Sequence, residues 1–341
     1  MGTVIRPLNP NESYDLDLGC RLRSGITKAS HTQEFLKKLV GKDLEAYRVA
    51  RKIEERLEEM HRCWRLAYAD ELSFHMDVVP SIPQDGNQIT FLQESMIKQG
   101  TSDFLAGKVA KHAGAITDNR HPDYRIISGD WRISNSEGYA LWFESRLRLA
   151  GQLLEKRAFE AKVAKMDDLP AWKWKSPLQQ CIQILKRHRD VMFKNNPDRK
   201  PISIILTTLS AAAYQGENSV EDSLRRILTD MSKYVLPSKP RVPNPVNPAE
   251  DFADKWHDQK YSHLNLEGNF KAWLEQAQTD FGLIERSANP ESVVKQASAK
   301  FGINLDDNMI KRAFDEAEIN IISKTKSHVI TETPPKPWMK E

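Results

Sequence analysis

Three aspartates in this sequence could do chemistry together. Asp15 and Asp17 in SYDLDLGCRL, and Asp77 in SFHMDVVP, each interrupt an otherwise apolar run. Two carboxylates at i and i+2 of a strand project from one side, and a third on a neighbouring strand can converge with them. Three uncompensated carboxylates within ~4–6 Å raise one another's pKa, so the arrangement is costly unless a cation sits among them. Oxygen ligands without Cys or His select Mg²⁺ or Mn²⁺. A pair of such ions ~3.5–4 Å apart activates an attacking hydroxyl and stabilises the leaving oxygen at a nucleotide's α-phosphate. An Asp-x-Asp pair alone is commonplace, and Asp77 alone could equally close an edge strand. Weight comes from two strands whose polar faces both carry Asp.

Those strands come first in a mixed region. YDLDLGCRL alternates, with Tyr14, Leu16, Leu18 and Cys20 on one face and the two aspartates on the other. A charged stretch from about Gln33 to Tyr68 follows, with Leu36, Leu39, Leu44 and Tyr47 at helical spacing. In LSFHMDVVP, Leu72, Phe74, Met76 and Val78 point one way and Ser73, His75 and Asp77 the other, and Pro80 is expected to end the strand. Strand, helix, strand, with carboxylates on one face, reads as an α/β catalytic layer.

After the turn-rich ITDNRHPDYRIISGDWRISNSEG the pattern becomes helical. WFESRLRLAGQLLEKRAFEAKVAKM runs into a linker-like DDLPAWKWKSP, and PLQQCIQILKRHRDVMF puts Leu178, Cys181, Ile182, Leu185 and Met192 on one helix face. Further helices are predicted at 201–214, 218–234, 249–258, 265–283, 290–301 and 306–321. PSKPRVPNPVNP is too proline-rich for a helix or a central strand. It ends in NPAE, which reads as a helix start with Asn247 as cap, Pro248 in the first position and Glu250 completing the box. TETPPKPWMKE should be extended and mobile.

Composition narrows the function classes. The 341 residues carry 50 basic and 47 acidic side chains, a net charge of +3, so no global field for a polyanion is implied and nucleic-acid binding is not indicated. Cys20, Cys63 and Cys181 lie far apart with no zinc spacing, which fits reduced thiols. The longest apolar-leaning run, 202–214, is short of the ~20 residues needed to cross a bilayer. The chain reads as a cytoplasmic protein with no membrane partner.

GTVIRPL, SYDLDLGCRL and FHMDVVPSIP, in that order, resemble the polymerase-β-like nucleotidyltransferases. More narrowly they are similar to the bacterial cGAS/DncV-like nucleotidyltransferases (CD-NTases), the cyclic-oligonucleotide synthases of CBASS antiphage defence. SNSEGYALWFESRL, SPLQQCIQILKRHRDVMF, PISIILTTLSAAAY and NPVNPAEDFADKW continue the likeness, which covers roughly residues 2–285. The resemblance implies an α+β fold: a nucleotidyltransferase core over 1–168, a helical lobe over 169–289, a helical extension over 290–322 and a flexible tail over 323–341. It implies Asp15, Asp17 and Asp77 as catalytic metal ligands for two Mg²⁺ or Mn²⁺ ions. It further implies nucleoside triphosphates (ATP, GTP or others) as substrates, a cyclic di- or trinucleotide as product, and a regulatory protein partner in a defence operon. Linear products, as in oligoadenylate synthases, and a catalytically impaired nucleotide-binding module are the alternatives.

Two more positions follow from the resemblance. Lys186 matches a helical lysine that holds the donor triphosphate; the alternative is a solvated basic face shared with Arg187, His188 and Arg189. Ser203 matches a hydroxyl touching the same triphosphate near a helix N-terminus, where amides favour anions; the alternative is a helix-start serine satisfying its own backbone. His75 is read as a packing or supporting residue, Trp172 and Trp174 as packing, and His112, Asp118 and Asp123 as scattered loop residues. In the family a Gly-Ser turn precedes the segment matching GTVIRPL and binds donor phosphates, whereas Gly2 is the second residue here. The expectation is an N-terminally truncated sequence, or a protein that has lost part of its donor site. Leu16, Leu18, Phe74 and Met76 would then be partly uncovered, and the lost amide and hydroxyl donors to the donor phosphates would slow turnover by several orders of magnitude.

Overall fold

The structure is a computed structural model that describes residues 1–5, 8, 14–68, 74–149, 175–287 and 289–302. Two compact units divide the chain, Met1–Gln278 and Thr279–Glu341.

At the centre of the first unit is a six-stranded mixed sheet. Its strands are β1 (Tyr14–Arg21), β2 (Glu58–Glu59), β3 (Trp64–Tyr68), β4 (Phe74–Pro83), β5 (Gly114–Ile116) and β6 (Arg132–Ser134). β4 organises the sheet. One edge pairs in parallel with β1, from Tyr14↔Phe74 to Arg21↔Ser81. Its other edge is shared, antiparallel to β3 over Phe74–Val78 and to β5 over Ser81–Pro83. Pro80 therefore does not end the strand as expected. It lies at the handover between β3 and β5, where that edge of β4 asks for no N–H.

Helix α1 (Gln33–Ala50) packs on the apolar side of this sheet, with Thr32 capping its first turn through Phe35 N–H. Leu36 and Val40 meet Val78, Ile82, Ala115 and Trp131 in a buried cluster. That cluster draws in Cys20 and Met76 but leaves Leu16 and Leu18 at 53% and 48% exposure. Phe74 is half-buried.

The charged stretch from Gln33 to Tyr68 is helical only in its first half; the rest is the β2–β3 hairpin. α1 holds that hairpin down. The fully buried Lys37 donates to Met60 O and, at 2.7 Å, to His61 O, while Trp64 Nε1 donates to Lys37 O at 2.8 Å. Gly41 makes this approach feasible, because a Cβ there would overlap the Trp64 indole. Gly41→Ala is expected to cost about 1–3 kcal/mol as an overpacking change, despite Ala's better helix propensity. Urea unfolding of the variant checks this; unchanged stability would mean that the indole has room to move.

Helices α2 (Gly86–Lys98), α3 (Asp103–Ala110) and α4 (Ser136–Leu147) form a second buried cluster around Leu92, Met96, Val109 and Tyr139. The region expected to be turns contains β6 and the start of α4. The predicted continuation of α4 toward Met166, with Trp172 and Trp174, lies outside the described residues, as do the predicted 306–321 helix and the tail.

The remaining helices of this unit are α5 (Pro177–Met192), α6 (Ser203–Ala213), α7 (Val220–Asp230) and most of α8 (Leu266–Glu285). α5 starts with a full capping box of Ser176 and Gln179 and buries Leu178, Cys181, Ile182 and Leu185. Met192, expected on that face, is exposed at the helix end. Tyr139 Oη bonds Thr208 Oγ1 at 2.8 Å, and Arg146 donates to Ala211 O and Tyr214 O at 2.8 and 2.6 Å, tying α4 to α6.

The predicted helix at 249–258 is absent. Asn247–Asp251 is instead strand β8, paired with the two-residue β7 (Pro243–Asn244) and followed by a short 3₁₀ turn, Asp254–His257. The Asp251 carboxylate accepts from Arg241 N–H and Val242 N–H at 2.8 and 2.9 Å, and Asn244 Nδ2 donates to Glu250 at 2.7 Å. Of the residues expected to start a helix, Glu250 instead accepts from Asn244, and Asp251 beside it folds the chain back on Arg241 and Val242. In the second unit the end of α8 and helix α9 (Pro290–Phe301) meet through Phe281 and Phe301, with ring centroids 5.1 Å apart.

Candidate active site

The parallel register of β1 and β4 puts Asp17 directly opposite Asp77, and Asp15 opposite His75. Neighbouring strands lie about 4.8 Å apart, so Asp17 and Asp77 are adjacent in the sheet, on the face that α1 does not cover. Asp15 lies two residues before Asp17 on β1. Among the described residues no set of three carboxylate, imidazole or thiol groups converges on one point. The pair Asp17 and Asp77 is what the sheet assembles.

Asp77 is engaged from its other flank. Arg65 of β3, its register partner there, makes a two-pronged contact with both carboxylate oxygens at 2.8 Å. The side chains are 28% and 14% exposed. The guanidinium holds the Asp77 carboxyl below its ordinary value, with help from the Cys63 thiol and against the cost of burial. Burial, and then the Asp77 charge, push the Cys63 thiol up to about 11. Cys63 is thus a neutral donor at physiological pH rather than a nucleophile. His75 is half-buried, and its Nδ1 has no hydrogen-bond partner among the described residues.

The second group of expected residues sits on α5 and α6. Lys186 is not on a solvated face: it is 8% exposed, and Nζ donates to Thr3 O at 3.0 Å and Thr3 Oγ1 at 3.3 Å. Residues 1–5 run along α5, where Gln179 donates to Met1 O at 2.8 Å and Gln183 to Val4 O at 2.6 Å. Gln179, Gln183 and Lys186 share one helix face by their spacing. Burial, and then neighbouring Arg189, bring the Lys186 ammonium down to about 8. Ser203 does not satisfy its own backbone with its hydroxyl. Its Oγ accepts from Arg189 Nη1 at 3.0 Å, while the rest of that buried guanidinium grips Asp190 at 2.7–2.9 Å. Lys186 and Ser203 are therefore neighbours through Arg189, and Lys186 reaches back to Thr3, ahead of β1 in the chain.

Of the residues set aside, His112 pairs with Glu137 at 2.6 Å. Asp118 is buried between Arg62 and Arg132, at 3.2 and 2.7 Å. Both are structural contacts. Sequence reasoning missed Arg65, Cys63, Thr3 and Arg189. Only Arg65 left a signal, as the polar member of an apolar WRLAY run whose strand character went unread.

The sheet thus presents Asp opposite Asp on an open face, and the helical part of the same unit carries a buried lysine. Residues 1–80 match the nucleotidyltransferase domain of the cyclic GMP-AMP synthase DncV-like family. The chain is 28% identical over 270 residues to a c-di-GMP synthase of Roseivirga ehrenbergii, covering 77% of this chain and 61% of that one. It is 25% identical over 264 residues to the cyclic dinucleotide synthase CdnG of Bradyrhizobium diazoefficiens, covering 73% and 56%. The chain thus spans about three fifths of the length of these curated relatives. Its fold matches that of CdnG solved with GTP, with TM-score 0.51 and 20% identity over 90% of this chain and 79% of that one. It also matches that of Vibrio cholerae DncV solved with the linear intermediate pppA(3′,5′)pG, with TM-score 0.53 and 16% identity over 89% and 67%. The likeness to the DncV-like nucleotidyltransferase domain thus lies in residues 1–80, and the fold of most of the chain is similar to that of CdnG and DncV.

Proposed function

We propose that the protein joins nucleoside triphosphates into a cyclic di- or trinucleotide, a second messenger of antiphage signalling. The observation that carries this reading is the register Asp17↔Asp77, which sets two hard oxygen ligands side by side on an open face. The c-di-GMP synthase and CdnG relatives support a cyclic product. A 2′- or 3′-hydroxyl of one nucleotide attacks the α-phosphate of another, forming an O–P bond and breaking the bond to the departing pyrophosphate; the hydroxyl proton leaves to solvent. A second such step closes the ring.

Asp17 and Asp77, with Asp15, fit a pair of Mg²⁺ or Mn²⁺ ions: the donors are all carboxylate oxygens, and Asp77 already holds a cation in the form of Arg65. When bound, such ions lower the pKa of the attacking hydroxyl and neutralise charge on the leaving oxygen. Lys186, freed from Thr3, supplies a mobile positive charge to the donor triphosphate, and Arg189 orients the Ser203 hydroxyl beside it. The same contacts favour a second reading, an impaired nucleotide-binding module, because Asp77 and Lys186 are both engaged within the chain.

The phosphate role of Lys186 has a pH signature. With its pKa near 8, the ammonium loses charge as pH rises through that value. Triphosphate affinity is therefore expected to fall between pH 7 and 9. Lys186→Arg, which stays charged throughout, should flatten that fall. Equilibrium binding of a non-hydrolysable NTP checks this; an identical pH profile in both proteins would remove Lys186 from the phosphate site.

A further inference from the structure

Asp77 occupies the middle of a row across the sheet, with Asp17 on β1 at one side and Arg65 on β3 at the other. The Arg65 fork takes a lone pair from each Asp77 oxygen, leaving neither oxygen without a cationic partner in the metal-free chain. It also supplies the positive charge without which adjacent carboxylates would repel. We propose that Arg65 is a positioning residue that serves as an internal cation for Asp77: it holds the carboxylate in the metal-free chain and competes with the divalent ion for it. This rests on the reading of Asp17 and Asp77 as metal ligands.

Two roles are distinguishable. A cross-strand ion pair that merely stabilises the β3–β4 pairing would, on removal, lower stability and leave metal affinity unchanged or weaker. A competitor would, on removal, tighten it. Asp77 is also held by Cys63, so its carboxylate keeps one neighbouring donor when the arginine is gone.

The test is titration of the full chain with Mn²⁺ alone, without nucleotide, reading free ion by electron paramagnetic resonance. Arg65→Met is expected to bind Mn²⁺ about tenfold more tightly than the parent, the scale of one partly exposed charge-assisted pair. Arg65→Lys keeps the charge but loses the fork and should fall between them. It also serves as the folded comparison if the Met variant is unstable. Adding Asp77→Asn to either background should abolish the gain. If the parent binds Mn²⁺ in an Asp77-dependent way and neither Arg65 variant binds it more tightly, the inference fails while the metal reading stands. If no variant shows Asp77-dependent Mn²⁺ binding, the metal reading fails and the inference with it.

Discussion

Asp77→Asn is expected to abolish nucleotide joining while leaving the protein folded. The substitution removes the charge that would hold a divalent ion opposite Asp17, and loss of several kcal/mol of transition-state stabilisation corresponds to a fall of roughly 10³-fold or more. The structural cost is small by comparison. Asn keeps one acceptor for Arg65, and the pair is partly solvated, so stability should change by about 1 kcal/mol. The sign with pH is fixed. Asp77 has a depressed pKa, so its contribution is present above the ordinary carboxylate value and is lost as pH falls through the native one. The parent should therefore lose more stability on acidification than the variant. Turnover at pH 7, with thermal melting at pH 7 and at a pH well below the ordinary carboxylate value of 3.8, measures both effects, and near-normal turnover would take Asp77 out of the catalytic group.

Lys186→Met is expected to raise the KM for nucleoside triphosphate by about ten- to a hundredfold with a smaller change in kcat. A charged contact to the donor phosphates acts on ground state and transition state alike, so its loss appears mainly as binding. Stability should move the other way. A lysine whose native pKa is drawn down to about 8 from 10.5 destabilises the fold at neutral pH. That penalty is fully present below pH 8 and is relieved as pH rises from there toward 10.5. The Met variant should therefore gain on the parent at pH 7 and lose that advantage near pH 10.5. An unchanged KM would leave Lys186 with only its Thr3 contact.

What was legible in the sequence was local. Alternation in YDLDLGCRL and SFHMDVVP marks β1 and β4 because one face of each is apolar, and the aspartates follow from it. α5 was legible because Leu178, Cys181, Ile182 and Leu185 repeat at helical spacing and all are buried. The hairpin of β2 and β3 was hidden because β2 is two glutamates and β3 a short run inside a charged stretch, and its support comes from Lys37 in α1. β8 reads as a helix start because Asn247, Pro248 and Glu250 fit a cap, whereas the contacts that decide, from Arg241 and Val242 to Asp251 and from Asn244 to Glu250, come from the segment before it. The setting of Lys186 was not legible for the same reason. Its burial depends on Thr3, at the other end of the unit in sequence. Arg65 completes the list, since a cross-strand partner for Asp77 can be named only once β3 is known to lie beside β4.

The most direct test of the account is the chemical form of the product. The chain, in molar excess over radiolabelled nucleoside triphosphates with Mg²⁺ or Mn²⁺, is incubated and then treated with phosphatase, so that even a low yield is visible. A phosphatase-resistant product that disappears in Asp77→Asn is the expected result, because a closed ring has no terminal phosphate to remove. A fully sensitive ladder, or nucleotide binding with no product under either metal, would contradict cyclic synthesis by this protein.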